Sequence, residues 1–146
     1  MRLMRTAFVL FVMTAQTAHA WEFTPGIPCR LTHETARAGI ELTYDPTGSL
    51  YTLTITRDAP WPDEDRFEMR FDGPRGLRIG TDRHALSNNG RSLSVADAGF
   101  GNVLDGLQFN DTATAITGDT EVTFPLAGAS EPVAAFRACE ANQPSA

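Results

Sequence analysis

The chain has 146 residues, with 12 basic side chains against 18 acidic ones and a formal net charge of −6, and every basic residue is an arginine. An acidic surface repels the phosphate backbone of nucleic acids, and a chain without lysine lacks the residue that a G-x-x-x-x-G-K-[ST] loop places on the β and γ phosphates. Both observations argue against DNA-directed and ATP-driven chemistry, so neither a nucleic acid nor a nucleotide is expected as partner.

At the start, the basic Met1–Arg5 segment, the apolar run Ala7–Met13 and the small residues of Ala18-His19-Ala20 form the three-part pattern of a secretory signal peptide cut after Ala20. The apolar run is far shorter than the ~20 residues that span a bilayer, so no transmembrane span is expected after cleavage. Residues 21–146 then form one domain-sized segment carrying 10 Arg and 18 acids, a net charge of −8. Its two cysteines, Cys29 and Cys139, sit near opposite ends. In an oxidising compartment such a pair reads as a disulfide, and the spacing is too wide for a C-x-x-C redox pair or a zinc knuckle. The expected location is the periplasm or the exterior of a Gram-negative cell.

The segment Phe23–Pro28 holds two prolines and a glycine and is expected to be irregular. Cys29–His33 alternates, placing Cys29, Leu31 and His33 on one side of a first strand. Ile40–Tyr44 and Tyr51–Ile55 alternate cleanly around Asp45-Pro46-Thr47-Gly48, whose residue types suit a type I turn, so this stretch is a hairpin. Two prolines flank Trp61 and interrupt the pattern. Arg66–Asp72 resumes it with Phe67, Met69 and Phe71 inward, and Leu77–Ile79 starts another short strand.

Asn89-Gly90 favours a two-residue type I′ turn, which would set Ser87 against Ser92, Leu86 against Leu93 and His84 against Val95. Asn102 is placed to cap a short helix through Val103, Leu104 and Leu107 that Gly106 weakens. A II′ turn at Gly118-Asp119 would pair Ala115 with Val122 and Ala113 with Phe124. After Gly128, Ser130 and Glu131 offer cap oxygens, Pro132 suits a first helical turn, and Val133 and Phe136 share one face of a closing helix. The fold class that follows is mainly β: an antiparallel β-sandwich or barrel of about eight strands with a short C-terminal helix.

The exported start at Trp21–Pro25, the Thr32-His33-Glu34 strand, Thr81–Ser87, Phe100–Leu107 and the Phe124–Gly128 to Cys139 ending together resemble a family of small exported bacterial proteins that often carry an excinuclease ABC label. The label does not suit a chain of this length with an export signal and no phosphate loop. The last twenty residues, a strand followed by Leu126-Ala127-Gly128 and a small-residue helix ending in cysteine, are also similar to the ending of invasion-associated locus B proteins. That resemblance implies a β-rich envelope protein and no catalytic residue.

Four positions stand out as candidates for binding or chemistry: Trp61, Asp82, Arg83 and His84. Asp82 and His84 with Ser87 contain the residue types of a serine nucleophile, a base and an orienting carboxylate, but residues three apart on a strand point to opposite faces, so a structural histidine bonded to a neighbour such as Asp82 is the simpler reading. His33, Glu34 and His84 match no metal spacing, and Asp105, Asp111 and Asp119 match no calcium loop. No metal or other cofactor is expected. Trp61, held between Pro60 and Pro62 and followed by three acids, is either an indole presented to a glycan, peptide or protein, or a plug folded over the end of the core. The expected function is a non-enzymatic binding or interaction module of the cell envelope with a protein or glycan partner; the alternative is a small periplasmic hydrolase using Asp82 and His84.

Overall fold

The computed structural model describes residues 20–141, and their side chains as far as Cys139. Residues 1–19, which carry nearly all of the expected signal peptide, lie outside the described residues. The described residues form ten strands and two helices, in order: β1 (Glu22–Thr24), β2 (Cys29–Glu34), β3 (Ala38–Asp45), β4 (Leu50–Arg57), β5 (Phe67–Asp72), β6 (Leu77–Thr81), β7 (Ala85–Ser87), β8 (Ser92–Asp97), α1 (Gly101–Phe109), β9 (Thr112–Thr117), β10 (Thr120–Pro125) and α2 (Ser130–Ala141). Among the described residues every ladder is antiparallel. They form a six-stranded sheet in the order β1-β2-β3-β4-β8-β7 and a four-stranded sheet in the order β10-β9-β5-β6. The two sheets remain open at their edges, which decides between the two expected architectures in favour of the sandwich over the closed barrel.

Alternation along the strands produces the core. Leu31, Ile40, Leu42, Leu53, Ile55 and Leu93 of the larger sheet are buried, as are Phe67, Met69, Phe71, Ala113 and Phe124 of the smaller one. The expected hairpins hold in register: Tyr44 faces Tyr51, Leu86 faces Leu93, Ala113 faces Phe124 and Ala115 faces Val122. The turn at Gly118 follows from its φ of 52°, in the left-handed region that glycine enters without a steric penalty. On its other side β9 pairs Ala113 with Phe71 and Ala115 with Met69. Each small residue thus sits between two large ones, which lets the larger side chains fill one layer without collision.

Four local expectations are corrected. Glu22–Thr24 is a short edge strand against Arg30–Thr32, because Trp21 before it is anchored in the core: its indole stacks on His33 at 4.8 Å and its Nε1 donates to the Pro125 carbonyl. Asn102 does not cap α1. The N-cap is Phe100, which makes no side-chain capping bond and whose ring is buried instead. Gly106 does not merely weaken α1: a Cβ there would lie 2.5 Å from the Phe71 ring, so its lack of a side chain is what lets the helix pack on β5. The β7–β8 ladder stops at Ala85 opposite Ser94, leaving His84 without the expected partner Val95.

The disulfide joins Cys29 of β2 to Cys139 of α2, 110 residues apart in the chain. It fastens a helix whose Val133 and Phe136 are buried and whose Arg137 bonds Asp105 and Gln108 of α1. Among the described residues no helix is long and apolar enough to cross a membrane.

Candidate functional site

The open seam of the sandwich lies where β7 gives out. This strand covers only Ser92–Ser94 of β8, whereas β4 pairs with β8 as far as Asp97. Val95, Ala96 and Asp97 therefore have a ladder on one side only, and opposite them stands β6, the edge strand of the other sheet. The chain passes between the sheets twice at this edge, through Asp82–His84 and through Ala98–Phe100 into α1. These two passages frame a cleft of about 440 Å³, a volume within the range of small-molecule sites.

Its walls are apolar: Leu53, Phe67, Met69, Ile79 and Val95 come from both sheets, and Phe100 from the passage into α1. Leu53, Phe67, Met69 and Phe100 are buried, while Ile79 and Val95 are half-buried nearer the mouth. Polar side chains stand at the rim, at Thr81, Arg83, Asp97 and Asn102. Arg83 Nη2 donates to Asp97 Oδ2 at 2.9 Å, and the other Asp97 oxygen accepts from the Ala98 amide. The carboxylate is thus occupied at both oxygens, whereas the guanidinium, mostly exposed, has five N–H donors and spends one on this pair. The first turn of α1 also borders the cleft, with no side-chain cap and no acidic residue, leaving leading amide donors of the kind that every helix start presents.

Two glycines mark the same rim. Neither Gly99 nor Gly101 has a φ in the left-handed region, and a Cβ added to either would meet nothing within 4 Å. No turn geometry and no packing demands glycine at these positions, unlike Gly106 or Gly118. Bare backbone beside a cleft is the arrangement that admits close approach of a ligand.

The residues singled out from the sequence are distributed around this site rather than gathered in it. Arg83 is on its rim. Asp82 is exposed and lies with His84, Leu86 and the exposed acids Asp63, Glu64 and Asp65 around a shallow surface depression. His84 Nε2 donates to the Glu64 carbonyl at 2.9 Å, and its ring packs near Phe67. A histidine with Nε2–H committed to a carbonyl holds the Asp63–Asp65 loop against the sheet; the partner is Glu64, not Asp82. Ser87 is exposed in β7. The three groups are not assembled as a nucleophile, base and orienting acid.

Trp61 is the plug rather than the presented indole. It is 3% exposed, its Nε1 donates to the Ile55 carbonyl at 3.1 Å, and its amide donates to the Gly90 carbonyl at 2.7 Å. The Arg57 guanidinium covers the ring at 4.9 Å from its centre. The bracketing prolines hold it over the turn between β7 and β8 instead of out in solvent. His33, also buried, packs under Trp21. Among the described residues no cluster of His, Cys, Asp and Glu has the arrangement of a metal site.

The walls of the cleft are not recognisable as a site from the sequence, since all of them but Phe100 read there as ordinary inward-facing strand positions. The one available signal is Gly99-Phe100-Gly101, an aromatic between two glycines outside any turn motif. Comparison with known proteins finds no matching family model, no matching curated protein and no matching solved structure.

Proposed function

We propose that this domain is an exported, non-enzymatic binding module of the cell envelope, and that it holds what it binds in the cleft between its sheets. The observation that carries this reading is the cleft itself: apolar walls from both sheets, polar side chains at the rim, and two glycines there that neither conformation nor packing requires. Such a pocket recognises shape and apolar surface and offers its walls no nucleophile or base. The disulfide fits a domain that works in an oxidising compartment. Membership in the exported family that the sequence resembles is part of the same proposal, as is the cleavable leader.

The test compares the wild-type domain with a cleft-blocked variant. Gly101→Leu adds a side chain at the rim where a Cβ meets no neighbour, so the fold is expected to tolerate it. Both proteins are incubated with an envelope extract, and bound components are released and identified by mass spectrometry. Components retained by the wild type and lost by Gly101→Leu are expected. Equal retention by both proteins would move the binding surface elsewhere, and hydrolysis of any extract component would overturn the non-enzymatic reading.

A further inference from the structure

We propose that the cleft takes a small amphipathic carboxylate, with its hydrocarbon part between the sheets and its charged end at Arg83. This rests on the binding-module reading and narrows it to a ligand class. Three independent features point the same way. The interior walls, built from Leu53, Met69, Ile79, Val95 and Phe100, present apolar side chains alone, so the part of a ligand that enters must be apolar to repay its desolvation. A polar or charged group can be satisfied only at the mouth.

At the mouth the balance of hydrogen-bonding groups favours an acceptor. Among the described residues the single carboxylate there, Asp97, has both oxygens engaged, one by Arg83 and one by the Ala98 amide. Arg83 retains donors beyond the one given to Asp97 and is, among the described residues, the only cationic side chain on the rim. Asn102 adds an amide, and the uncapped first turn of α1 adds backbone donors. A carboxylate is acceptor-only and matches the guanidinium fork in shape, whereas an ammonium head would meet the like charge of Arg83 and leave its remaining donors idle.

The third feature is access. Gly99 and Gly101 flank Phe100 at the mouth, where added side chains would stand in open space. Gly118 serves a left-handed turn and Gly106 a tight contact. Here the absence of side chains keeps the entrance clear and lets a ligand head approach the backbone.

The experiment uses the folded, oxidised protein and two probes of equal chain length, decanoate and decan-1-ol, titrated calorimetrically below their micelle and solubility limits. Saturable binding of one decanoate is expected, with decan-1-ol weaker by about tenfold or more, the low end of the loss of a charge-assisted hydrogen bond. Arg83→Gln should weaken decanoate by about tenfold or more while changing decan-1-ol far less. Gly101→Leu, with Gly99→Leu as a second blocking variant, should weaken both probes by at least tenfold without lowering the melting temperature. Equal binding of the two probes to the wild type would overturn the anionic end, and undiminished decanoate binding to both blocked variants would overturn the site. If decanoate fails to bind while the blocked variant still loses extract components, the ligand class is wrong and the binding-module reading stands; if neither is seen, both fall.

Discussion

Replacing Gly106 by alanine should destabilise this protein, although it puts the best helix former in place of one of the worst. In an exposed helix interior the change would stabilise by roughly 0.8–1 kcal/mol. Here the new Cβ would lie 2.5 Å from two atoms of the Phe71 ring and 2.6 Å from a third, where carbon atoms need about 3.5–4.0 Å. The ring has no room to retreat: Phe71 is 1% exposed and sits between Leu77 and Ala113 in the sheet. Either α1 lifts from β5 or Phe71 leaves its rotamer, and overpacking of this kind costs about 1–3 kcal/mol, occasionally more. A contact this short against a ring with no free space belongs in the upper part of that range, about 2–3 kcal/mol, so after the propensity gain a net loss of about 1–2 kcal/mol is expected, which in a domain of this size lowers the melting temperature by roughly 3–8 °C. Urea denaturation of wild type, Gly106→Ala, Phe71→Leu and the double variant measures it. The alanine should cost less in the Phe71→Leu background, where the ring is gone. A Gly106→Ala protein as stable as wild type, or more stable, would refute the packing argument, and Gly101→Ala, whose Cβ meets nothing, is the control that should hold or gain stability.

Substituting Cys29→Ser and Cys139→Ser together removes a constraint across 110 residues, worth up to about 4.8 kcal/mol in the chain-entropy model, a large share of the ~5–15 kcal/mol that stabilises a typical domain; the urea midpoint should fall far, and an unchanged midpoint would mean that α2 is held by its packing alone. Trp61→Ala should cost about 3–5 kcal/mol, as for other buried aromatics, with no loss of decanoate binding beyond that due to unfolding. Glu68 accepts a hydrogen bond from Arg66 and pairs with Arg78, and these partners hold its carboxyl below the ordinary glutamate pKa. A carboxylate lowered on folding stabilises above its unfolded pKa and loses that contribution as pH falls through the folded value. Glu68→Gln should therefore melt lower than wild type at neutral pH, with the gap closing in acid, and a gap of constant size would show that the charge contributes nothing.

Much of the sandwich is legible in the sequence because both of its strongest signals are local. Asn89-Gly90 and Gly118-Asp119 fix turns, and the period-two runs on either side then leave one register that buries the apolar face. The long-range closure at Cys29 and Cys139 is readable for a different reason, since only two cysteines exist to pair. What the sequence conceals is decided by tertiary contact. The stretch around Glu22–Thr24 looks irregular, and only the anchoring of Trp21 on His33 and Pro125 makes it a strand. The sequence leaves Trp61 as either a presented indole or a plug, and the choice is made by Ile55 and Gly90, whose carbonyls accept its two N–H groups. His84 finds its partner twenty residues back, at Glu64, where no spacing rule points. The cleft is the least legible feature, because it depends on β7 ending after three residues and on which two sheets the passages at Asp82–His84 and Ala98–Phe100 connect. Arg83 stands out in the sequence as a binding candidate, yet its place on the rim comes from that topology and not from its neighbours in the chain.

The measurement that bears most directly on the cleft as binding site is a methyl and backbone NMR map of the folded protein titrated with decanoate. Saturable shifts should concentrate on Leu53, Met69, Ile79 and Val95 and on the amides of Gly99, Gly101 and Asn102, with Trp61 Nε1 and the Asp63–Asp65 loop unmoved. Shifts centred instead on that acidic loop and His84, or spread thinly over the surface without saturation, would contradict the assignment of binding to the seam between the sheets.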